Sequence, residues 1–281
     1  MKLNSLIQKI LDRARSPGIG KQKTIAPPVL GEALRYPYGP FRFRFLVPPG
    51  VECAVFSSTD LGTWTPIGET TAPEGPTEYV DSEAFKFSWR FYRVCCQEVW
   101  SANVIGYVSV SLPPGFSLLA NPFQTECVVN HLFKDWPDGT TLHRFDTSLF
   151  RLVENEVKDG LWTNPSHKLA HGEGIIFYNP TFDYRWASFV GEVAQGPLLV
   201  PIPSGFSIRS SPVPKAGNLE DLGFPIAEGD VIHVFDREGQ KYLIYPYKDG
   251  KWPDGQPTLS VGEAFWVAKT VPGNWTRSLI I

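Results

Sequence analysis

Apolar and polar residues alternate over short runs along most of this chain, and glycine or proline ends nearly every run, the pattern of strands rather than helices. Phe41-Arg42-Phe43-Arg44-Phe45 is the clearest case: aromatic and charged residues take turns, which predicts one buried face and one wet face. Further strands are predicted at residues 51–56, 64–67, 77–80 and 90–95, with Pro48-Pro49-Gly50 and Pro73-Glu74-Gly75-Pro76 as breaks. The N-terminus differs. Leu3, Leu6, Ile7, Ile10 and Leu11 fall at helical spacing with charges between them, which predicts an amphipathic helix. Residues 14–36, rich in Gly, Pro and Lys, read as a flexible arm that joins this helix to the first strands.

From about residue 103 onward the pattern occurs twice. Pro114-Gly115-Phe116-Ser117 matches Ser204-Gly205-Phe206-Ser207, and His143-Arg144-Phe145-Asp146 matches His233-Val234-Phe235-Asp236. Lys158-Asp159-Gly160-Leu161-Trp162 matches Lys248-Asp249-Gly250-Lys251-Trp252, and the segment 169–173 matches 259–263. All of these pairs share one offset, 116 to 206 being typical; Trp186 pairs with Trp275 only after a one-residue slip. Each copy is expected to hold about six short strands with an Asp-Gly hairpin turn. A short helix is expected near residues 127–133 and 219–222. The predicted organisation is an arm over 1–36, a small sandwich over 37–102, and homologous β modules over 103–191 and 192–281. The fold class is all-β, sandwich-like or barrel-like.

Composition narrows the function classes. Aromatic residues reach 14%, with 25 Gly and 26 Pro, which suits short strands and tight turns. A net charge of −3 argues against a nucleic-acid partner, whose phosphates call for a basic face. No run approaches the length of a membrane-spanning helix, and the charged N-terminus does not resemble an export signal. Cys53, Cys95, Cys96 and Cys127 lack the spacing of a zinc site or redox pair. A cross-strand Cys53–Cys95 disulfide is one reading, and buried free thiols are the favoured one.

The stretch Ser57-Ser58-Thr59-Asp60-Leu61-Gly62-Thr63-Trp64-Thr65-Pro66-Ile67, with Tyr79-Val80-Asp81 and Arg90-Phe91-Tyr92-Arg93-Val94, resembles a short β-sandwich module of large secreted and surface proteins of environmental bacteria. The paired Pro-x-Gly-Phe-Ser and Gly-Glu-[Gly/Ala] segments resemble repeats of the same proteins. The resemblance spans roughly residues 50–281 and implies a structural, adhesive or assembly role outside the cell, with no catalytic residues to carry over.

Candidate chemistry is sparse. His143 and His233 occupy one position in the two copies, as do Glu173 and Glu263, and Asp146 and Asp236. Duplicated positions usually preserve packing, so a half-buried imidazole, a turn cap and a loop start are the expected roles, and a glycan-active enzyme is a remote alternative. Pro165 and Gly172 bracket His167 and His171 and argue against a helical metal pair. No catalytic motif, cofactor fingerprint or metal set is recognised. Trp162 and Trp252, each just past an Asp-Gly turn, either fold back over their module, the favoured reading, or project as a stacking platform for sugar rings. Trp266, between Phe265 and Val267, reads as core or interface.

The leading expectation is a self-assembling structural subunit whose partners are copies of itself. Leu3, Leu6, Ile7, Ile10 and Leu11 would dock on a neighbour, and the terminal strand with Leu279, Ile280 and Ile281 would offer an apolar edge. A polysaccharide-binding or adhesion protein using Trp162 and Trp252 is the second.

Overall fold

A computed structural model describes residues 25–35 and 39–281 of the chain. The proposed N-terminal helix, with Leu3, Leu6, Ile7, Ile10 and Leu11, lies outside the described residues. The protein is all-β and divides into two compact units. The first runs to Tyr107 and includes Val190–Val193; the second holds Val108–Phe189 and Ala194–Ile280.

In the first unit, β1 (Leu30–Arg35), β2 (Phe41–Phe45) and β5 (Thr77–Asp81) form one antiparallel sheet. The expected arm therefore ends earlier than residue 36: Leu30 and Arg35 turn inward on β1, and the Asn103 side chain bonds the N–H and C=O of Leu30. The second sheet contains β3 (Glu52–Ser58), β4 (Thr65–Thr71), β6 (Trp89–Cys96) and the short β7 (Val99–Trp100). The aromatic positions of the alternating stretch are buried as predicted. Phe41 stacks on Tyr92 with ring centres 4.7 Å apart, and Phe43 lies 5.6 Å from the same ring. On the wet face Arg44 joins Glu78 at 2.9 Å and Glu32 at 3.0 Å. Inside the core the Asp81 carboxylate accepts bonds from Arg90 and from the Tyr92 hydroxyl, which satisfies a buried charge.

A disulfide is present, with a different partner from the one considered above: Cys53 is bonded to Cys96. These two residues are direct cross-strand neighbours on β3 and β6, whereas Cys95 sits opposite Ala54 on the reverse face. There it packs with Ala54, Phe56 and Trp64 as a free thiol. Neighbouring residues on a strand face opposite ways, so only one of the adjacent cysteines can meet Cys53.

The second unit contains most of both copies, the expected bounds at 103, 191, 192 and 281 lying a few residues inside the first unit. In the first copy β9 (Gly115–Ala120), β11 (Thr141–Asp146), β12 (Arg151–Lys158), β13 (Leu161–Trp162) and β15 (Gly174–Asn179) form a sheet ordered β13-β12-β11-β15-β9. In the second, β18 (Gly205–Ser210), β20 (Val231–Asp236), β21 (Lys241–Pro246) and β23 (Ala264–Lys269) repeat it as β18-β23-β20-β21. The duplication extends to the register: Phe116 faces Tyr178 as Phe206 faces Ala268, and Cys127 faces Leu169 as Gly217 faces Leu259. Of the two copies, only the first holds a helix among the described residues, α1 (Val129–Leu132), and the one expected near 219–222 is absent. β24 (Gly273–Leu279) pairs along its length with β17 (Gly196–Ile202). Two-residue ladders raise the strand number above the expected six, since they are too short to leave a hydrophobic period.

The hairpin turns follow the sequence closely. Asp159-Gly160 and Asp249-Gly250 all have positive φ, and the Asp138 and Glu228 carboxylates accept bonds from their N–H groups. The suggested match of Trp186 with Trp275 does not hold, because Trp275 is fully buried while Trp186 is 37% exposed. The two rings lie on opposite faces; with the offset left unbroken, Phe189 and Leu279 are both inward.

The copies differ in a buried ion pair. In the second, Lys269 is paired with Asp230, with side chains 1% and 0% exposed. Lys269 also donates to the Pro225 carbonyl, and Asp230 accepts from the Ala227 and Thr270 N–H groups and the Thr270 hydroxyl. The first copy has neutral Asn179 and Thr140 there, bonded to the carbonyls of Leu112, Asp183 and Pro137.

Candidate functional site

The Gly-Glu segments that recur in the two copies join one copy to the other. The Ala120 N–H donates to the Gly262 carbonyl at 3.0 Å, and the Ser210 N–H donates to the Gly172 carbonyl at 3.1 Å. Leu119 bridges to Glu263 as Arg209 bridges to Glu173. These contacts come in reciprocal pairs, so this part of the association is isologous, like that of a two-fold dimer within one chain. Gly172 and Gly262 have φ of +78° and +79°, and a Cβ on Gly172 would stand 2.4 Å from Val200. Glycine is therefore required there for conformation and for space. Leu118, Ala120, Ile176, Ile208, Phe235 and Ala264 fill the seam between the copies.

Glu173 and Glu263 lie along this seam rather than in a shared cleft. Burial raises the pKa of both, opposed at Glu173 by Arg144 and Arg209, and at Glu263 by the Ser260 N–H and Arg237. Glu263 also caps its own turn through Ser260. Asp146 and Asp236 accept bonds from backbone N–H groups two and three residues on, as loop-starting residues do. Among the described residues no cluster of His, Cys, Asp and Glu is arranged to hold a metal ion.

The seam opens into a cavity of about 330 Å³ lined by Phe145, Phe150, Phe206, His233, Tyr242 and Trp266. Phe145 and Trp266 meet edge to face at 4.9 Å, and the Trp266 indole N–H donates to the Tyr242 hydroxyl. Burial lowers the pKa of His233 and favours its neutral form, so an uncharged ring lines an apolar wall. At the reciprocal position the first copy places Ile176 for Trp266, Leu152 for Tyr242 and His143 for His233, while Gln240 stands where Phe150 does. That side is closed: Gln240 accepts from the Phe116 N–H at 2.8 Å and donates to the Phe116 carbonyl at 2.9 Å.

Of the residues singled out in the sequence, His233 and Trp266 line the cavity. Trp162 and Trp252 do not project as stacking platforms: they are 5% and 8% exposed, with indole N–H groups donating to the Phe133 carbonyl and the Glu220 carboxylate. Trp162 borders a second, more polar cleft of about 520 Å³ with Asn130, His131, Lys134 and Asp135. Of the terminal residues, Leu279 is buried and pairs with Gly196, Ile280 is 88% exposed, and Ile281 is half-buried. Sequence reasoning missed Phe145, Phe150, Phe206 and Tyr242. The available signal was disagreement between the copies, for the lining changes where the surrounding framework repeats.

Among the described residues no helix is long and apolar enough to cross a membrane. No family model matches the chain, and no curated protein does. One solved structure, described as a tetra-tandem repeat in the extending region of a large adhesion protein, is a distant neighbour at 9% identity and a TM-score of 0.26, covering 92% of this chain and 76% of that one. That is a loose likeness between tandem repeats, and no residue role is transferred from it.

Proposed function

We propose that this protein is a non-catalytic structural subunit that associates with copies of itself through the outer strand of its second repeat. The observation carrying the reading is β21. This strand pairs only with β20 among the described residues, and Tyr242, Leu243 and Ile244 on it are 41%, 39% and 58% exposed. A row of unpaired backbone groups with apolar side chains and little charge is a template for another strand. The equivalent strand in the first copy, β12, carries Arg151, Glu154, Glu156 and Lys158, and β13 pairs with its last two residues, Val157 and Lys158. The same edge thus carries charge along its length in one copy and apolar residues in the other. The Cys53–Cys96 disulfide supports a setting outside the reducing cytosol, consistent with a surface or secreted assembly.

Size-exclusion chromatography with light scattering tests the reading. The native chain is expected to form a concentration-dependent oligomer, and Leu243→Lys, which puts a charge on the open edge, is expected to be monomeric. A native chain that stays monomeric at its highest soluble concentration overturns it. Polysaccharide binding is the second reading, favoured by the polar cleft beside Trp162. It predicts a ligand-induced change in tryptophan emission that Lys134→Ala weakens.

A further inference from the structure

The closed and open sides of the seam show what the cavity is built to receive. On the closed side, the Gln240 carboxamide pairs with both backbone groups of Phe116, as one residue of an adjacent antiparallel strand does. It comes so close that a Cβ on Gly115 would stand 2.5 Å from its oxygen. On the open side Phe206 has the same register on β18, an edge strand. The Ser210 N–H, four residues on, leaves β18 outward to Gly172, so by the two-residue alternation the N–H and C=O of Phe206 also point outward. Phe150 replaces Gln240 with nearly the same positive φ, 50° against 49°, but has no amide to offer. Those two groups of Phe206 have no hydrogen-bond partner among the described residues, and nothing lies within 4 Å of a Cβ built on Gly205. An unpaired donor and acceptor thus stand beside a cavity walled by rings.

We propose that this cavity is a receptor for an aromatic residue of an extended peptide, whose N–H and C=O pair with Phe206 while its ring enters among Phe145, Phe150, Tyr242 and Trp266. A sugar fits less well, because hydroxyls need polar partners and the walls supply only the His233 ring and the Tyr242–Trp266 pair. Rings offered to rings gain from edge-to-face packing as well as burial. The site does not depend on self-association through β21: Leu243, opposite Val234, lies on the other face of the sheet from His233.

The test is calorimetric titration of the Leu243→Lys chain with N-acetyl-phenylalanine N-methylamide, toluene and N-acetylglucosamine. Saturable binding of the capped phenylalanine is expected, with toluene weaker by about tenfold or more for want of two backbone hydrogen bonds. Phe150→Gln installs the closing residue of the other side and is expected to abolish binding with the fold intact. Trp266→Ile, which also borrows the first copy's residue, removes a wall and is expected to weaken binding without touching Phe206. The proposal is overturned if the capped phenylalanine does not saturate, if toluene or N-acetylglucosamine binds as tightly, or if neither substitution changes its affinity.

Discussion

The buried Lys269–Asp230 pair can be perturbed with the protein's own first copy as the control. Asp230→Thr supplies the residue at the equivalent position, Thr140, but strands the Lys269 ammonium in a site only 1% exposed, with the Pro225 carbonyl as its remaining partner. Breaking a buried pair from one side costs about 3–5 kcal/mol, and this variant belongs at the upper end. Lys269→Asn leaves a carboxylate that still accepts from two N–H groups and a hydroxyl, so it belongs near the lower end, about 3 kcal/mol. At roughly 2–4 °C per kcal/mol for a unit of this size, each single change lowers the melting temperature by on the order of 10 °C. The double variant Asp230→Thr/Lys269→Asn recreates a neutral pair and is expected to be more stable than either single one. Urea denaturation followed by emission from Trp252 and Trp275, both in this core, measures all four corners of the cycle. Single losses below about 1 kcal/mol, or a double variant that sums the two, would refute the account of this pair as a mutually dependent buried charge.

Three further outcomes follow from other contacts. Cys53→Ala/Cys96→Ala opens a loop spanning 43 residues and is expected to cost about 4 kcal/mol, read as a shift in denaturant midpoint; in the native chain, alkylation after denaturation without reductant should label Cys95 and Cys127 alone. Gly172→Ala forces a Cβ against Val200 and is expected to destabilise the second unit more than Gly160→Ala, which has a similar positive φ, +74°, but open space around it. Equal melting temperatures for the two would remove the argument for close approach at the seam. Burial lowers the pKa of His167, His171 and His233, so the unfolded chain binds the extra protons first. Stability from these groups is present above the ordinary histidine range and lost as pH falls through their lowered values; His233→Phe should flatten the melting-temperature profile between about pH 7 and pH 5.

Much of the fold was legible because it was written twice. The offset fixed which strands correspond, the Asp-Gly dipeptides marked both hairpins, and the alternation in 41–45 named the buried aromatics. What stayed hidden depends on partners distant in sequence. Gly172-Glu173 and Gly262-Glu263 look like local turns, and only the fold shows that their carbonyls serve the opposite copy. The partner of Cys53 turned on a one-residue choice between adjacent cysteines that register alone decides. The cavity was hidden for another reason: its residues follow no motif, and a search for similarity between the copies passes over the places where they differ.

The reciprocal seam bears on what a repeated protein can do that a dimer cannot. Two identical chains meeting about a two-fold axis must present every site in pairs, since any change in one is made in the other. Joined in a single chain, the two halves keep the geometry of such a pair while each position is free to change alone. Here one flank of the axis is shut by Gln240 and the other stands open beside Phe150. Covalent fusion has turned a symmetric joint into one whose two flanks can carry different chemistry.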